Sequence, residues 1–288
     1  MSFTGTVVIV SCNSSECLTP CVASVVTHAP AARVIVVDNA SVDGSASIDE
    51  TFPGRVEVLR NQSNVGFARA VNQALAMVSG GLVLLLNPDA YLVPESIELL
   101  VAELARHPEC SLVGPQILNK DGSVQGSARG DPTLLTGLFG RTTLLARIFP
   151  GSHLARQNVR TETRLEPGES FAVDWVSGAC MLASHGALAA VGGFDERYFL
   201  YWEDADLCRR LRQHGQSVRY VPAAKVVHAG GRSSRRTQTL ATRAFHRSAF
   251  TYYATHVATT GRGRALAWCL LTLRCRLKLL VSHFAGSS

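Results

Sequence analysis

Runs of four or five consecutive aliphatic residues recur through the first third of the chain, and they restrict the fold more than anything else in it. "TVVIVS" (6–11), "RVIVVD" (33–38) and "LVLLLN" (82–87) are too short for buried helices and are rich in β-branched residues. A strand that is apolar on both faces has to be covered on both. Further strands are expected at 55–61 and 111–116, and residues 15–28, 66–79 and 94–106 have helical spacing, with Pro94 suited to a first turn. Strands that alternate with amphipathic helices predict an α/β fold with a mostly parallel central sheet flanked by helices. With 288 residues, 47% hydrophobic and 17% charged, the chain can bury a full core and is not of the disordered class.

Beyond residue 116 the rhythm changes. Residues 128–170 scatter Gly, Pro and Arg and read as a long surface excursion. "SFAVDWVSGACMLAS" returns to strand character, and a short helix is expected from about 185 to 191. "EDADLCRRLRQHG" reads as a helix ending at Gly215, "QSVRYVPAAKVVH" as two short strands, and the chain from about 235 as helical and basic. The start, "MSFTGTVVIVSCN", lacks the basic and apolar regions of an export signal, so the eight cysteines, with no C-x-x-C pair, are expected to be buried thiols. The nearest approach to a membrane span, "ALAWCLLTLRCRLKLLVSHF", is broken by Arg274, Arg276 and Lys278.

Open α/β sheets bind ligands beyond the carboxyl ends of their strands. Ser11, Cys12 and Asn13 follow the first strand, "DNASVDGS" from Asp38 the second, and "NPDA" with Asp89 the fourth. Each alone is ordinary turn chemistry; their shared rim is less ordinary. No G-x-G-x-x-G follows the first strand and no G-x-x-x-x-G-K-[ST] occurs, which counts against dehydrogenases and P-loop enzymes. Carboxylates on that rim repel a diphosphate unless a divalent cation lies between them. A second acidic cluster, Glu203, Asp204 and Asp206, opens a helix, where each acid gains about 0.3–1 kcal/mol from the helix dipole. The dipole alone does not account for the flanking Tyr201 and Trp202.

Taken in order, "VVDNASVDGS", "NQSNVGFARAVNQAL", "LLLNPDA", "SGACMLASHGALAAVGGFDERYFLYWEDADLCRRL" and "VPAAKVVHAGG" resemble a family 2 glycosyltransferase of GT-A fold, and are most similar to bacterial rhamnosyltransferases of cell-wall linker and surface-polysaccharide synthesis. The resemblance implies a catalytic domain over 1–231, with a nucleotide-binding half at 1–115 and an acceptor half at 116–231, and a basic amphipathic helical extension at 232–288. It implies that Asp38 bonds the nucleotide base with Ser11 and Asn13 beside it. Gly66 would give the nucleotide close access to the backbone, with a helix-start glycine as the alternative. Arg69 would face a phosphate, with a solvated helix residue as the alternative. Asp89, written here in Asn-Pro-Asp with Asn87 at the first acid's place, would hold Mg2+ or Mn2+, joined by His228 unless that histidine is structural. Asp204 would be the general base of an inverting displacement, with Glu203 orienting the acceptor and its negative charge keeping Asp204 basic. Asp206 would be a first-turn helix acid. Trp175 and Trp202 would stack on sugar, or belong to the core. The implied donor is dTDP-rhamnose or another nucleotide sugar, UDP- or GDP-linked; the rival outside catalysis is a nucleotide-sugar or glycan-binding protein.

Charge is divided unevenly. Residues 207–288 carry 15 of the 28 Lys and Arg and none of the 22 Asp and Glu. With aromatics interleaved at helical spacing, this arm suits an anionic membrane surface or a helical cap with a solvated basic face. The platforms and recognised folds of RNA binders are missing, so nucleic acid is not expected. Together with a polyprenyl-diphosphate-linked acceptor, the arm predicts a peripheral protein at the cytoplasmic face of the plasma membrane.

Overall fold

The computed structural model describes residues 3–132, 168–230 and 235–284. Of the excursion expected over 128–170, residues 133–167 lie outside the described residues, as does the boundary expected at 231. In chain order the elements are β1 (Thr6–Ser11), α1 (Ser15–His28), β2 (Arg33–Asp38), α2 (Ile48–Thr51), β3 (Val56–Arg60), α3 (Phe67–Leu75), β4 (Leu82–Leu86), β5 (Ala90–Leu92), α4 (Ser96–Arg106) and β6 (Cys110–Leu118). There follow β7 (Ala128–Arg129), β8 (Phe171–Ala172), β9 (Trp175–Val176), β10 (Cys180–Ser184), α5 (His185–Ala190), α6 (Glu203–Gln213), β11 (Ser217–His228), α7 (Arg235–His256) and α8 (Gly261–Phe284).

A nine-stranded sheet runs in the order β3-β2-β1-β4-β10-β6-β11-β5, with β8 added on β11. The doubly apolar strands lie at its centre, and alternate residues feed two cores. Val7, Ile9, Val34, Val36, Leu84 and Leu86 face one side, and Val8, Val10, Ile35, Val37, Val83 and Leu85 the other. Six strands share one direction, as expected; β10, β5 and β8 oppose them.

Two departures from the expected pattern build the site. The antiparallel β10 inserts between β4 and β6, so the loop that leads into it, Ser177–Ala179, arrives at the carboxyl rim; Asn87 N donates to Ala179 O at 2.9 Å. Residues 217–228 form one strand where two were expected. Pro222 has no N–H for the ladder, and pairing with β6 jumps from Val221↔Pro115 to Lys225↔Gln116. Past that irregularity β11 also pairs with β5, which sets His228 opposite Ala90 and therefore next to Asp89. The expected helices are trimmed: α3 stops at Leu75, and Pro94 precedes the left-handed Glu95 (φ 64°) instead of lying in the first turn of α4.

The eight cysteines are free thiols, four of them buried. Among the described residues no helix is long and apolar enough to cross a membrane. Helices α7 and α8 pack on one another through Ala249, Tyr253 and Leu271.

Candidate active site

A cleft of about 740 Å³ opens at the carboxyl rim between the Ser177–Ala179 loop, the start of α6 and the C-terminal helices. Asn87, Trp175, Trp202, Glu203, Asp204 and His228 all line it. The chain reaches α6 through two successive left-handed residues, Tyr201 (φ 67°) and Trp202 (φ 72°). Non-glycine residues pay for such backbone with strain that the surroundings must hold in place. Here the hold is aromatic. The Trp202 ring packs on Tyr252 at 5.3 Å, Phe245 at 5.7 Å and Tyr253 at 6.2 Å, all from α7, and Ser248 Oγ donates to Leu200 O at 2.9 Å. Trp202 therefore anchors the C-terminal helices to the cleft as well as lining it.

Asp204 is fixed by backbone donors. Its Oδ2 accepts from Gly178 N at 3.0 Å and its Oδ1 from Ala205 N at 2.9 Å. The side chain is half-buried, yet desolvation by its crowded surroundings is the main influence and raises its pKa; the two backbone N–H groups and the Arg129 charge work against that rise. Glu203 is buried (7% exposed), and its Oε2 has no hydrogen-bond partner among the described residues. Burial first, then the charges of Asp204 and Asp206, push its pKa well above the carboxylate range. Adjacent carboxyls of this kind titrate as a pair, and burial raises the pKa of both. The Arg129 charge favours ionised Asp204, while the Asp204 charge in turn raises the pKa of Glu203.

Asp206 lies in the first turn of α6, as expected, but it does not face solvent. It is fully buried and accepts from His256 Nε2 at 2.6 Å, Arg210 Nε at 2.7 Å and Tyr198 Oη at 3.3 Å, which ties α7 to α6.

Across the cleft, His228 Nε2 stands 3.1 Å from Asp89 Oδ1. The Gln125 amide donates to Asn119 Oδ1 at 2.7 Å and to His228 O at 3.0 Å, so its oxygen is the acceptor 3.1 Å from His228 Nδ1. That network assigns the proton to Nδ1 and turns the Nε2 lone pair toward a carboxylate oxygen. Two electron-rich atoms so placed call for a proton or a cation between them, and their spacing matches the roughly 3 Å between neighbouring ligands of an octahedral cation with bonds of ~2.1 Å. The pair fits a divalent metal. No cluster of three or more His, Cys, Asp or Glu side chains suited to a metal occurs among the described residues, which leaves the other positions to substrate oxygens and water.

Ser11, Asn13 and Asp38 form a second cluster on the same rim. Register pairs Ser11 with Asp38. Asn13 Oδ1 accepts from Val42 N at 2.9 Å, its own N–H donates to Ser41 Oγ at 2.8 Å, and Ser41 N donates to Asp38 Oδ2 at 3.1 Å. Asp38 is 2% exposed, and its Oδ1 is without a partner among the described residues, which suits it to an N–H donor from a ligand. Gly66 joins the two clusters. Asn39 Nδ2 donates to its carbonyl at 3.2 Å, while a Cβ on Gly66 (φ 89°) would lie 2.7 Å from Phe199 O. The close approach it permits is thus to the 199 loop of the chain itself. Arg69 is exposed and sits 3.8 Å from Glu196. Trp175 donates through Nε1 to Gly130 O at 2.9 Å, with the Arg129 guanidinium 5.1 Å over its ring. Sequence reasoning missed Arg129, Gln125, Gly178, Phe245 and Arg274, which reach the site only through tertiary packing.

One cleft at the carboxyl rim of the sheet thus takes in the carboxylate of Asp204 and the imidazole of His228, itself the neighbour of Asp89. The family model for glycosyl transferase family 2 matches residues 6–159. Over 242 residues the chain is 35% identical to the N-acetylglucosaminyl-diphospho-decaprenol L-rhamnosyltransferase of Mycobacterium tuberculosis, covering 80% of this chain and 77% of that protein. Solved structures similar in fold include the mannosyltransferase PcManGT of Pyrobaculum calidifontis, in complex with GDP-Man and Mn2+, at TM-score 0.58 and 16% identity over 99% of this chain and 74% of that one. GalNAc-T7 with UDP, GalNAc and Mn2+ matches at TM-score 0.61 and 17% identity over 88% of this chain, which spans 50% of that one. The chain belongs to glycosyl transferase family 2, and it is a glycosyltransferase.

Proposed function

We propose that this enzyme transfers L-rhamnose from dTDP-rhamnose to a polyprenyl-diphosphate-linked or other cell-envelope glycan, inverting the anomeric centre in a single displacement. The observation that carries the chemistry is the carboxylate of Asp204, held by Gly178 N at 3.0 Å in the cleft that also takes in His228. Asp204 removes the proton from the acceptor hydroxyl as that oxygen attacks the anomeric carbon from the face opposite the leaving nucleotide. Protonated Glu203 beside it can donate a hydrogen bond to the acceptor. Asp38, with Ser11 and Asn13, receives a ring N–H of the base, and Arg69 stands on the rim where a phosphate could draw it from Glu196. Trp175 and Trp202 offer ring faces to the sugars. Asp89 and His228 would hold Mg2+ or Mn2+, which when bound neutralises charge on the departing diphosphate.

The donor and acceptor rest on the Mycobacterium tuberculosis relative, whose name specifies a rhamnosyl transfer to a decaprenyl-diphosphate-linked sugar. The test is to offer dTDP-rhamnose, UDP-sugars and GDP-sugars in turn with N-acetylglucosaminyl-diphospho-polyprenol and to identify the product by mass and linkage. Transfer only from a UDP- or GDP-sugar would replace the donor in this reading. Asp89→Ala is expected to weaken Mn2+-dependent nucleotide binding by roughly ten-fold or more while leaving binding in a chelator unchanged. Equal Mn2+ dependence in wild type and variant would remove Asp89 from the ligand set.

We further propose a catalytic unit over 1–231 and a membrane-docking extension over 232–288, working at the cytoplasmic face. Leu266, Leu273, Leu277, Leu280 and Val281 on α8 are all more than half exposed. Residues 266, 273, 277 and 280 fall on one stripe of the helix, flanked by a basic surface with no acid after Asp206. Changing Leu273, Leu277 and Leu280 to Ser is expected to release the protein from anionic vesicles in a sedimentation assay; undiminished co-sedimentation would show that the stripe is not the contact.

A further inference from the structure

One side chain grips His228 twice. Gln125 Nε2 donates to the backbone carbonyl of His228 at 3.0 Å, and Gln125 Oε1 stands 3.1 Å from the Nδ1 of the same residue. A backbone carbonyl can only accept, so turning the amide round would set two oxygens against one another. Asn119 Oδ1, 2.7 Å from Gln125 Nε2, opposes the reversal as well. The oxygen of Gln125 is thereby committed to the ring. Local sequence puts it there. In "NKDGS" Asn119 N donates to Ser123 O at 2.8 Å and Gly122 N to Asn119 O at 3.0 Å, with φ 82° at the glycine. This tight turn folds the chain back on the end of β6, where Leu118 bridges to Val124 and Gln125 N donates to Ile117 O at 2.8 Å. Because β6 runs beside β11 with Leu118 opposite Val227, Gln125 arrives next to His228.

Two acceptors then compete for the single proton of a neutral imidazole. At the other nitrogen Asp89 Oδ1 is 3.1 Å from Nε2, and Ala229 N donates to Asp89 O at 2.8 Å, which holds the two residues side by side. A proton on Nε2 would satisfy the carboxylate and close that nitrogen to a cation. A proton on Nδ1 satisfies Gln125 and leaves the Nε2 lone pair beside Asp89. Gln125 and His228 both line the cleft, so the outcome is felt where substrate binds.

We infer that Gln125 is a positioning residue that keeps the proton of His228 on Nδ1 and thereby prepares Nε2, together with Asp89, to receive a divalent cation. The inference rests on the metal-assisted transfer proposed above and adds to it a residue that acts through the histidine.

The experiment uses full-length protein labelled with 15N at histidine. Two-bond 15N–1H spectra of the metal-free protein, in alkaline solution where the ring is neutral, show which nitrogen of His228 carries the proton, and His228→Gln assigns the signals. Wild type is expected to carry it on Nδ1. In Gln125→Met, which keeps the chain length but has no oxygen acceptor, the proton moves to Nε2 and toward Asp89. Gln125→Glu, which restores an oxygen there, returns it to Nδ1. Affinity for Mn2+, titrated by electron paramagnetic resonance with dTDP present, falls in Gln125→Met by roughly 10- to 100-fold, the usual effect of removing the partner of a metal-binding histidine. Binding of dTDP in a chelator stays within about two-fold of wild type. Thermal unfolding checks that the variants are folded, and the wild-type spectrum decides the place of the proton without any variant. A proton on Nε2 in wild type overturns the inference, as does one that stays on Nδ1 in Gln125→Met. Equal Mn2+ affinity in the two proteins overturns the purpose assigned to the clamp. Loss of dTDP binding in the chelator would make Gln125 a nucleotide contact and overturn its positioning role. If wild type with dTDP takes up no Mn2+, the metal reading fails, and the imidazole spectra still support or overturn the hold of Gln125 on the ring.

Discussion

Replacing Asp204 by Asn is expected to reduce sugar transfer by roughly 10²- to 10⁴-fold, the contribution of a positioned general base, with donor affinity nearly unchanged. Asparagine keeps the side-chain volume and can still accept from Gly178 N, which the aspartate does at 3.0 Å, so the loss reports chemistry more than architecture. The wild-type pH profile offers a second measurement. Desolvation raises the Asp204 pKa against the pull of Gly178, Ala205 and Arg129. A base works only when ionised, so the rate is full above that raised value and declines as pH falls through it. The acidic limb should therefore lie above the range of an ordinary carboxylate. Arg129→Ala removes a charge that favours ionisation and should move the limb higher still. Turnover that survives Asp204→Asn, measured with a purified acceptor, would assign the base elsewhere. A limb unmoved by Arg129→Ala would mean that solvent screens the arginine from the carboxylate.

What could be read from the chain in advance follows the range of the interactions concerned. The limits of β1, β2 and α1 match the sequence reading because doubly apolar runs and helical spacing are local signals. The direction of β10 and the pairing of β11 with β5 were not legible, since no local pattern says which strand a short run will join. Yet those two pairings bring Gly178 to Asp204 and His228 to Asp89. The same limit applies to charge. Glu103 on α4, 2% exposed and 2.6 Å from Arg219 on β11, looks in sequence like any helix acid. Sequence does not report burial, so the burial that raises the pKa of Glu203 is not legible in "WEDAD". Two consecutive left-handed residues before α6 are also invisible in "LYWEDAD", because neither is glycine or asparagine.

The largest loss of stability is expected at Asp206, whose carboxylate has no contact with the cleft. In Asp206→Leu, Arg210 and His256 lose their buried partner, with distances of 2.7 and 2.6 Å in the native protein. Arg210 keeps its Nη1 bonds to Val191 O at 2.7 Å and Gly193 O at 2.8 Å, so the guanidinium cannot simply swing into solvent. Breaking a buried pair from one side costs about 3–5 kcal/mol, and a midpoint of thermal unfolding lower by on the order of 10 °C follows for a domain of this size. Asp206→Asn retains the volume and one acceptor, and should lose less. Activity should fall along with stability, because His256 closes α7 and that helix brings Phe245 into the cleft wall and its aromatic rings against Trp202. A double-mutant cycle separates the two links that Asp206 makes. If the carboxylate mainly secures α7, His256→Ala in the Asp206→Leu background should add little to the single loss. Additive losses would mean that Arg210 and Tyr198, outside α7, are the partners that matter, and that α7 is held by its aromatic contacts alone.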